Sequence, residues 1–182
     1  MRYPAKISKK YLLKLSIPIF FSNLAIPLVS IVDTWLAGHL GSAKFLAATS
    51  IAASLVTMIF WSFGFLRMGT VGLVSQSLGK GDYREIILSL LRSLSLALII
   101  GFLIAFMQYP ILIFAKYFFS ASKETHLLID EYIRIRLYSA PAELSMYVLV
   151  GFFLGLQKTK ISSILITFFS IINILFSYHL VV

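Results

Sequence analysis

One carboxyl group stands inside an otherwise apolar run: Asp33, in Leu28-Val29-Ser30-Ile31-Val32-Asp33-Thr34-Trp35-Leu36. Leaving a carboxylate in lipid costs several kcal/mol, so it must face the interior of a helix bundle, a watery cavity or the bilayer edge. Desolvation disfavours the charged form of such a group. A carboxyl that exchanges a proton near neutral pH is what a proton-coupled carrier requires. Two readings stay open for Asp33: a coupling group in a cavity, or an ordinary hydrated group at the outer mouth, five residues before Gly38. Glu143 is a second acidic residue in an apolar stretch, and it either lines a cavity or pairs with a neighbour near Pro141. Asn173 carries an amide able to bond across helices, as structural glue or as a ligand. Pro18 and Pro27 share a stretch with Asp33. Proline frees backbone carbonyls and kinks a helix, which suits a hinge, yet membrane helices also tolerate it with no moving role.

Other chemistries find little support. There are no cysteines, which excludes disulfides, thiolate zinc sites and thiol catalysis. His39, His126 and His179 are far apart and lack metal-ligand spacing, so no metal site is expected. No nucleophile elbow, phosphate-binding loop or dinucleotide fingerprint is present. The weak enzymatic alternative is an intramembrane carboxyl pair of Asp33 with Glu143, and no cofactor is expected.

These residues must be held by membrane-spanning elements. Hydrophobic residues make up 59% of the 182-residue chain and charged residues 13%. A soluble domain runs at about 45–50% apolar and about 25% charged. One soluble core of this size could not hide so much apolar surface. Apolar runs predict about five transmembrane helices in a single membrane domain over residues 1–182, near residues 12–38, 45–79, 86–114, 130–156 and 161–182. The runs are continuous rather than alternating, so the fold class is all-α integral membrane, with no β-barrel. The second run is too long for one upright crossing, and Arg67 marks where it leaves the hydrocarbon. Gly79-Lys80-Gly81-Asp82 reads as a tight polar loop and Ser120 to Thr125 as a short polar connection.

The net charge of +9 invites a nucleic-acid reading. The basic residues sit between apolar runs, however, and read as topogenic charge facing anionic lipid rather than nucleic acid. An N-terminus in the cytoplasm puts Arg2, Lys6, Lys9, Lys10, Lys14, Lys80, Arg84, Arg92, Lys158 and Lys160 on the inner side. Trp35, Tyr117 and Tyr178 then fall near the outer interface. Arg134 and Arg136 are expected to snorkel to that interface and pair with Asp130 or Glu131. Gly151 and Gly155 form a small-xxx-small pattern for close helix packing. The apolar run after the basic lead is too long for a cleavable signal peptide, so a retained first helix is expected.

Several tracts, in order and over essentially the whole chain, resemble the multidrug and toxic compound extrusion (MATE) family and its DinF-like branch. They are Ser22 to Leu40, Phe65 to Leu73, Ser139-Ala140-Pro141-Ala142, Gly151 to Gln157 and Ile172-Asn173-Ile174. The resemblance implies a bacterial inner-membrane exporter in which two six-helix lobes alternate between inward and outward openings. Its substrates are amphipathic, often cationic small molecules that leave in exchange for protons or sodium ions. The family's cation-coupling carboxyl falls on Asp33, and a bend of the first helix at a proline falls on Pro18. The family pattern has an Asn followed four residues later by Asp on the fifth helix; Asn173 fits, but Ser177 stands at the second position. Ser177 and Asn173 lie one turn apart, so both are cavity candidates, though serine cannot carry the proton. The chain is expected to cover most of the N-terminal lobe, a truncated antiporter inactive alone. The partner is then a missing second lobe or another copy of the chain. A small homo-oligomeric transporter and a lipid-linked substrate flippase are the alternatives.

Overall fold

A computed structural model describes residues 9–39, 43–118 and 123–181. Among the described residues there are eight helices and no strand. They are α1 (Lys9–His39), α2 (Ala43–Ser62), α3 (Phe65–Lys80), α4 (Tyr83–Phe106), α5 (Gln108–Phe118), α6 (Lys123–Tyr138), α7 (Ala140–Gly155) and α8 (Thr159–Val181). The protein is all-α. The first and last apolar runs are single helices, and each of the three middle runs is a pair.

The breaks have local causes. Pro110 lacks the N–H that would bond the Phe106 carbonyl, and α4 ends at Phe106. Pro141 likewise leaves the Leu137 carbonyl without its helical donor, and α6 and α7 meet at Ser139 with a bend of 49°. The Ser139 hydroxyl and N–H both donate to the Arg136 carbonyl, at 2.7 and 3.2 Å. Between α2 and α3 the bonds tighten to i→i−3, with Phe63 donating to Phe60 and Gly64 to Trp61, both at 3.0 Å. Pro18 and Pro27, by contrast, lie inside an α1 that is continuous along its 31 residues. Of the polar connection expected from Ser120 to Thr125, residues 123–125 belong to α6 and the rest lies outside the described residues.

The predicted loop at Gly79 to Asp82 is a helix stop followed at once by a helix start. Gly81 adopts a left-handed φ of 73°, and the N–H groups of Gly81 and Asp82 close on the Leu78 and Ser77 carbonyls at 3.1 and 3.0 Å. The Asp82 side chain then accepts from the Glu85 N–H at 3.0 Å and caps α4. Gln157 plays the part of Gly81 at the end of α7, with φ 59°.

Packing follows four-residue spacing. Ala48, Ala52, Val56 and Phe60 form one buried stripe on α2 that meets Ile129, Ile133 and Leu137 on α6. Helix α7 lies against α3, α4 and α8, and glycines set how close it comes. A Cβ on Gly151 would stand 2.6 Å from the Arg67 carbonyl oxygen, and one on Gly101 of α4 would stand 2.4 Å from Pro141 Cα. Gly155 meets Val74 in the same way. The small-xxx-small pair therefore seats α3.

The outer surface is apolar. Phe106 is 87% exposed and Trp61 is 82% exposed, apolar surface that lipid or a partner must cover. Among the described residues, α4 and the run Leu46–Lys80 are each long and apolar enough to cross a membrane. The bent pair α6–α7 makes a third crossing if taken as one span. In α1 and α8 the described apolar stretches are shorter, Ser16–Val29 and Thr159–Ile172.

Candidate functional site

Helix α1 packs chiefly along α8, so the helix carrying Asp33 lies beside the helix carrying Asn173 and Ser177. The side chains of these three residues fall outside the described residues, as do those of Tyr117 and Tyr178. What is described is the other half of the α1–α8 seam. The Ser163 hydroxyl donates to the Pro18 carbonyl. Ser22, 1% exposed, donates to the Ile19 carbonyl at 3.0 Å, one turn along the same face. Ser162 donates toward the Val150 carbonyl at 3.4 Å and ties α8 to α7. Serines let helix backbones approach closely, and in lipid their hydroxyls must find such carbonyl partners. Beside the seam lies a groove of about 490 Å³ bordered by Pro18, Ser163, Thr167 and Phe168, with Lys160 at one end.

Glu143 belongs to a different cluster. Its Oε2 lies 3.8 Å from Arg136 Nη2 across the α6–α7 break. The charges of Glu143, Arg67 and Arg136 all reach the Tyr147 hydroxyl, so α3, α6 and α7 each contribute to one polar patch. Arg136 Nε is buried there with no hydrogen-bond partner. The expected pairing of Arg136 with Asp130 or Glu131 is thus replaced by Glu143. The reason is geometric: residues seven apart share a helix face two turns away, about 10.5 Å along the axis, and the bend shortens that reach. The same spacing recurs in α4, where Arg92 Nη1 meets Glu85 Oε1 at 2.9 Å. Arg134 forms no ion pair among the described residues. Pro27 is exposed on α1.

The site residues therefore divide in two. Pro18 stands at the α1–α8 seam, and Glu143 stands in the charged patch around Tyr147. Sequence reading missed Arg67, Arg136 and Tyr147 as companions of Glu143. The signal that could have found Arg136 is the seven-residue spacing read across Pro141.

Comparison with known proteins matches the sequence model of the MatE family to residues 18–179, which takes in both the α1–α8 seam and the charged patch. The chain belongs to the MatE family. A curated relative, DNA damage-inducible protein F of Escherichia coli (strain K12), is 36% identical over 174 residues. The alignment covers 96% of this chain and 38% of that relative, so the chain spans about two-fifths of the length of the curated relative it matches. No solved structure matches. As a MatE chain with apolar spans and a lipid-facing exterior, it is a multi-pass membrane protein.

Proposed function

We propose that this chain forms part of a cation-coupled efflux antiporter, in which Asp33 takes up and releases a proton as an amphipathic, cationic small molecule leaves the cell. It is a carrier rather than an enzyme, and it works in the bacterial inner membrane with its N-terminus in the cytoplasm. The observation that carries the reading is the α1–α8 seam within a MatE chain. Counting each broken pair as one crossing, α1 and α8 run in the same direction. Extending the register of the Ser163–Pro18 hydrogen bond along both helices brings position 33 level with position 178, one residue past Ser177. One proton-exchanging carboxyl would then lie within about 1.5 Å of the level of Ser177, with Asn173 one further turn nearer the Lys160 end. Asn173 and Ser177 serve as cavity ligands, and Pro18 is the hinge. A loosened Ser163–Pro18 bond frees α1 to bend. Protons are the preferred coupling ion over sodium, because a lone carboxyl with neutral neighbours suits proton exchange better than a coordination shell. The partner that completes the carrier is a second lobe or another copy of the chain.

The test is efflux of a fluorescent cationic dye from cells expressing the protein from its own gene. Asp33→Asn should lower the efflux rate at least about tenfold, the range expected when a general acid–base group is lost. Asn173→Ala should lower it less. An Asp33→Asn rate equal to wild type sinks the coupling role, and an equal loss at Asn173 overturns the ranking of the two.

A further inference from the structure

A cavity of about 540 Å³ opens where the α4–α5 break faces the α6–α7 break, with Pro141 in its lining and neither Arg136 nor Glu143 among the described lining residues. Phe102, Phe106 and Tyr109 border it on one side, Arg134 and Tyr138 on the other, and Gln108, 9% exposed, at the junction. We propose that this cavity binds one anionic phospholipid, with the phosphate against Arg134 and an acyl chain along Phe102 and Phe106.

Depth is the first argument. From Ile86 to Phe106, α4 measures about 31 Å at 1.5 Å per residue, one hydrocarbon thickness. Its break at Met107 thus falls at the bilayer boundary opposite the Gly81 turn. The facing wall gives the same level independently. α6 is polar through Lys123, Glu124, Asp130 and Glu131 and becomes apolar toward Leu137, with Arg134 at the change. Both walls therefore put the cavity at the depth of the lipid glycerol and phosphate. Tyr109 and Tyr138, both exposed, occupy the belt where amphipathic rings settle.

Charge is the second argument. Among the described residues, Arg134 is the one charged side chain bordering the cavity, and no acidic side chain borders it. Asp130 and Glu131, one turn back on α6, do not reach the lining. A guanidinium at an interhelical pocket near the headgroups matches a phosphate diester, and Gln108 carries an amide that can donate to a glycerol ester or phosphate oxygen. Phe102 and Phe106 stand one turn apart on α4 and are 55% and 87% exposed, an apolar track leading from the cavity into the hydrocarbon. A free phosphate ion would leave that track unused, which favours a lipid.

The experiment is native mass spectrometry of the purified full chain in detergent, titrated with phosphatidylglycerol or with phosphatidylcholine of the same acyl chains. Wild type should hold one phosphatidylglycerol in preference to phosphatidylcholine. Arg134→Gln should weaken that binding about fivefold, the worth of one basic group near anionic lipid. Arg134→Lys should keep most of it, and this variant guards against misfolding of the first. Arg92→Gln, about 21 Å from Phe106 along α4, should change nothing. Equal binding by Arg134→Gln and wild type overturns the proposal. So does an equal loss in Arg92→Gln, which would mean diffuse attraction, or displacement of the lipid by millimolar inorganic phosphate, which would mean a plain anion pocket.

Discussion

At the scale of single residues, the chain pairs its internal charges at longer spacing than helix rules usually consider. Arg136 and Glu143 are seven apart with a bend between them, and each side chain is about one-third exposed, at 37% and 31%. Removing one partner leaves the other without compensation beside Tyr147. Glu143→Ala should destabilise the fold by about 1–2 kcal/mol, less than the roughly 3–5 of a fully buried pair. Replacing both residues with Met should cost less than Glu143→Ala alone, because no stranded charge remains. Thermal unfolding in detergent followed by circular dichroism measures both. A double variant weaker than the single one would show that the pair is a net attraction rather than a mutual compensation. Sequence made the types of these groups legible: Asp33, Glu143 and Asn173 stand out because polar residues are rare in apolar runs. Partnership was less legible. It depends on a 49° bend, and no local spacing encodes that angle.

At the scale of elements, five apolar runs were readable and their internal breaks were not. Hydropathy averages over a window and does not register a single missing hydrogen bond, so Pro110 and Pro141 passed as residents of longer helices. Pro18 and Pro27 show why proline alone is ambiguous, since α1 continues through both. What separates the two cases is packing, because the backbone around Pro141 rests on Gly101. Gly101→Val should therefore drive α4 away from α7 and cost about 1–3 kcal/mol, as overpacking does. Gly69→Ala is the matched control. A Cβ at position 69 meets nothing within 4 Å, so the change should be neutral or stabilising by about 0.5–1 kcal/mol through helix propensity. Folded yield and melting temperature of the two variants decide the point, and equal losses would mean that glycine spacing is irrelevant here.

At the scale of the whole molecule, the apolar exterior and the alternation of charged loops set out a polytopic chain whose orientation can be measured directly. The protein has no cysteine, so single cysteines report cleanly. Lys80→Cys, at the end of α3, should react with a membrane-impermeant maleimide only in inverted vesicles. Lys123→Cys, at the start of α6, should react only in intact cells. Exchanged results would invert the topology, and equal labelling of both from one side would remove a crossing between them. The membrane class was legible from composition, because no soluble core can absorb 59% hydrophobic residues at this length, and the all-α class from the continuity of the apolar runs. Neighbour relations among the helices were not legible. They are set by which glycines and serines meet across a seam, a property of pairs rather than of runs.

The contrast between the two kinds of seam has a mechanical consequence. Around α7, glycines bring backbone against backbone at Arg67 and Pro141, so α7 cannot slide past α3 or α4 without atoms colliding. α1 and α8 pack chiefly on each other, with the Ser163 hydroxyl on the Pro18 carbonyl between them, and they touch the rest of the bundle less, α8 on α7 and α1 on α2. The molecule is thus divided into a stiff keel of α3, α4 and α7 and a rail of α1 and α8 that is less extensively joined to it. Spin labels paired between α3 and α7 should hold one distance whatever ligand or pH is applied. Labels paired between α1 and α4 should broaden or split if the rail that carries Asp33 moves against the keel, and one fixed distance there would mean that it does not.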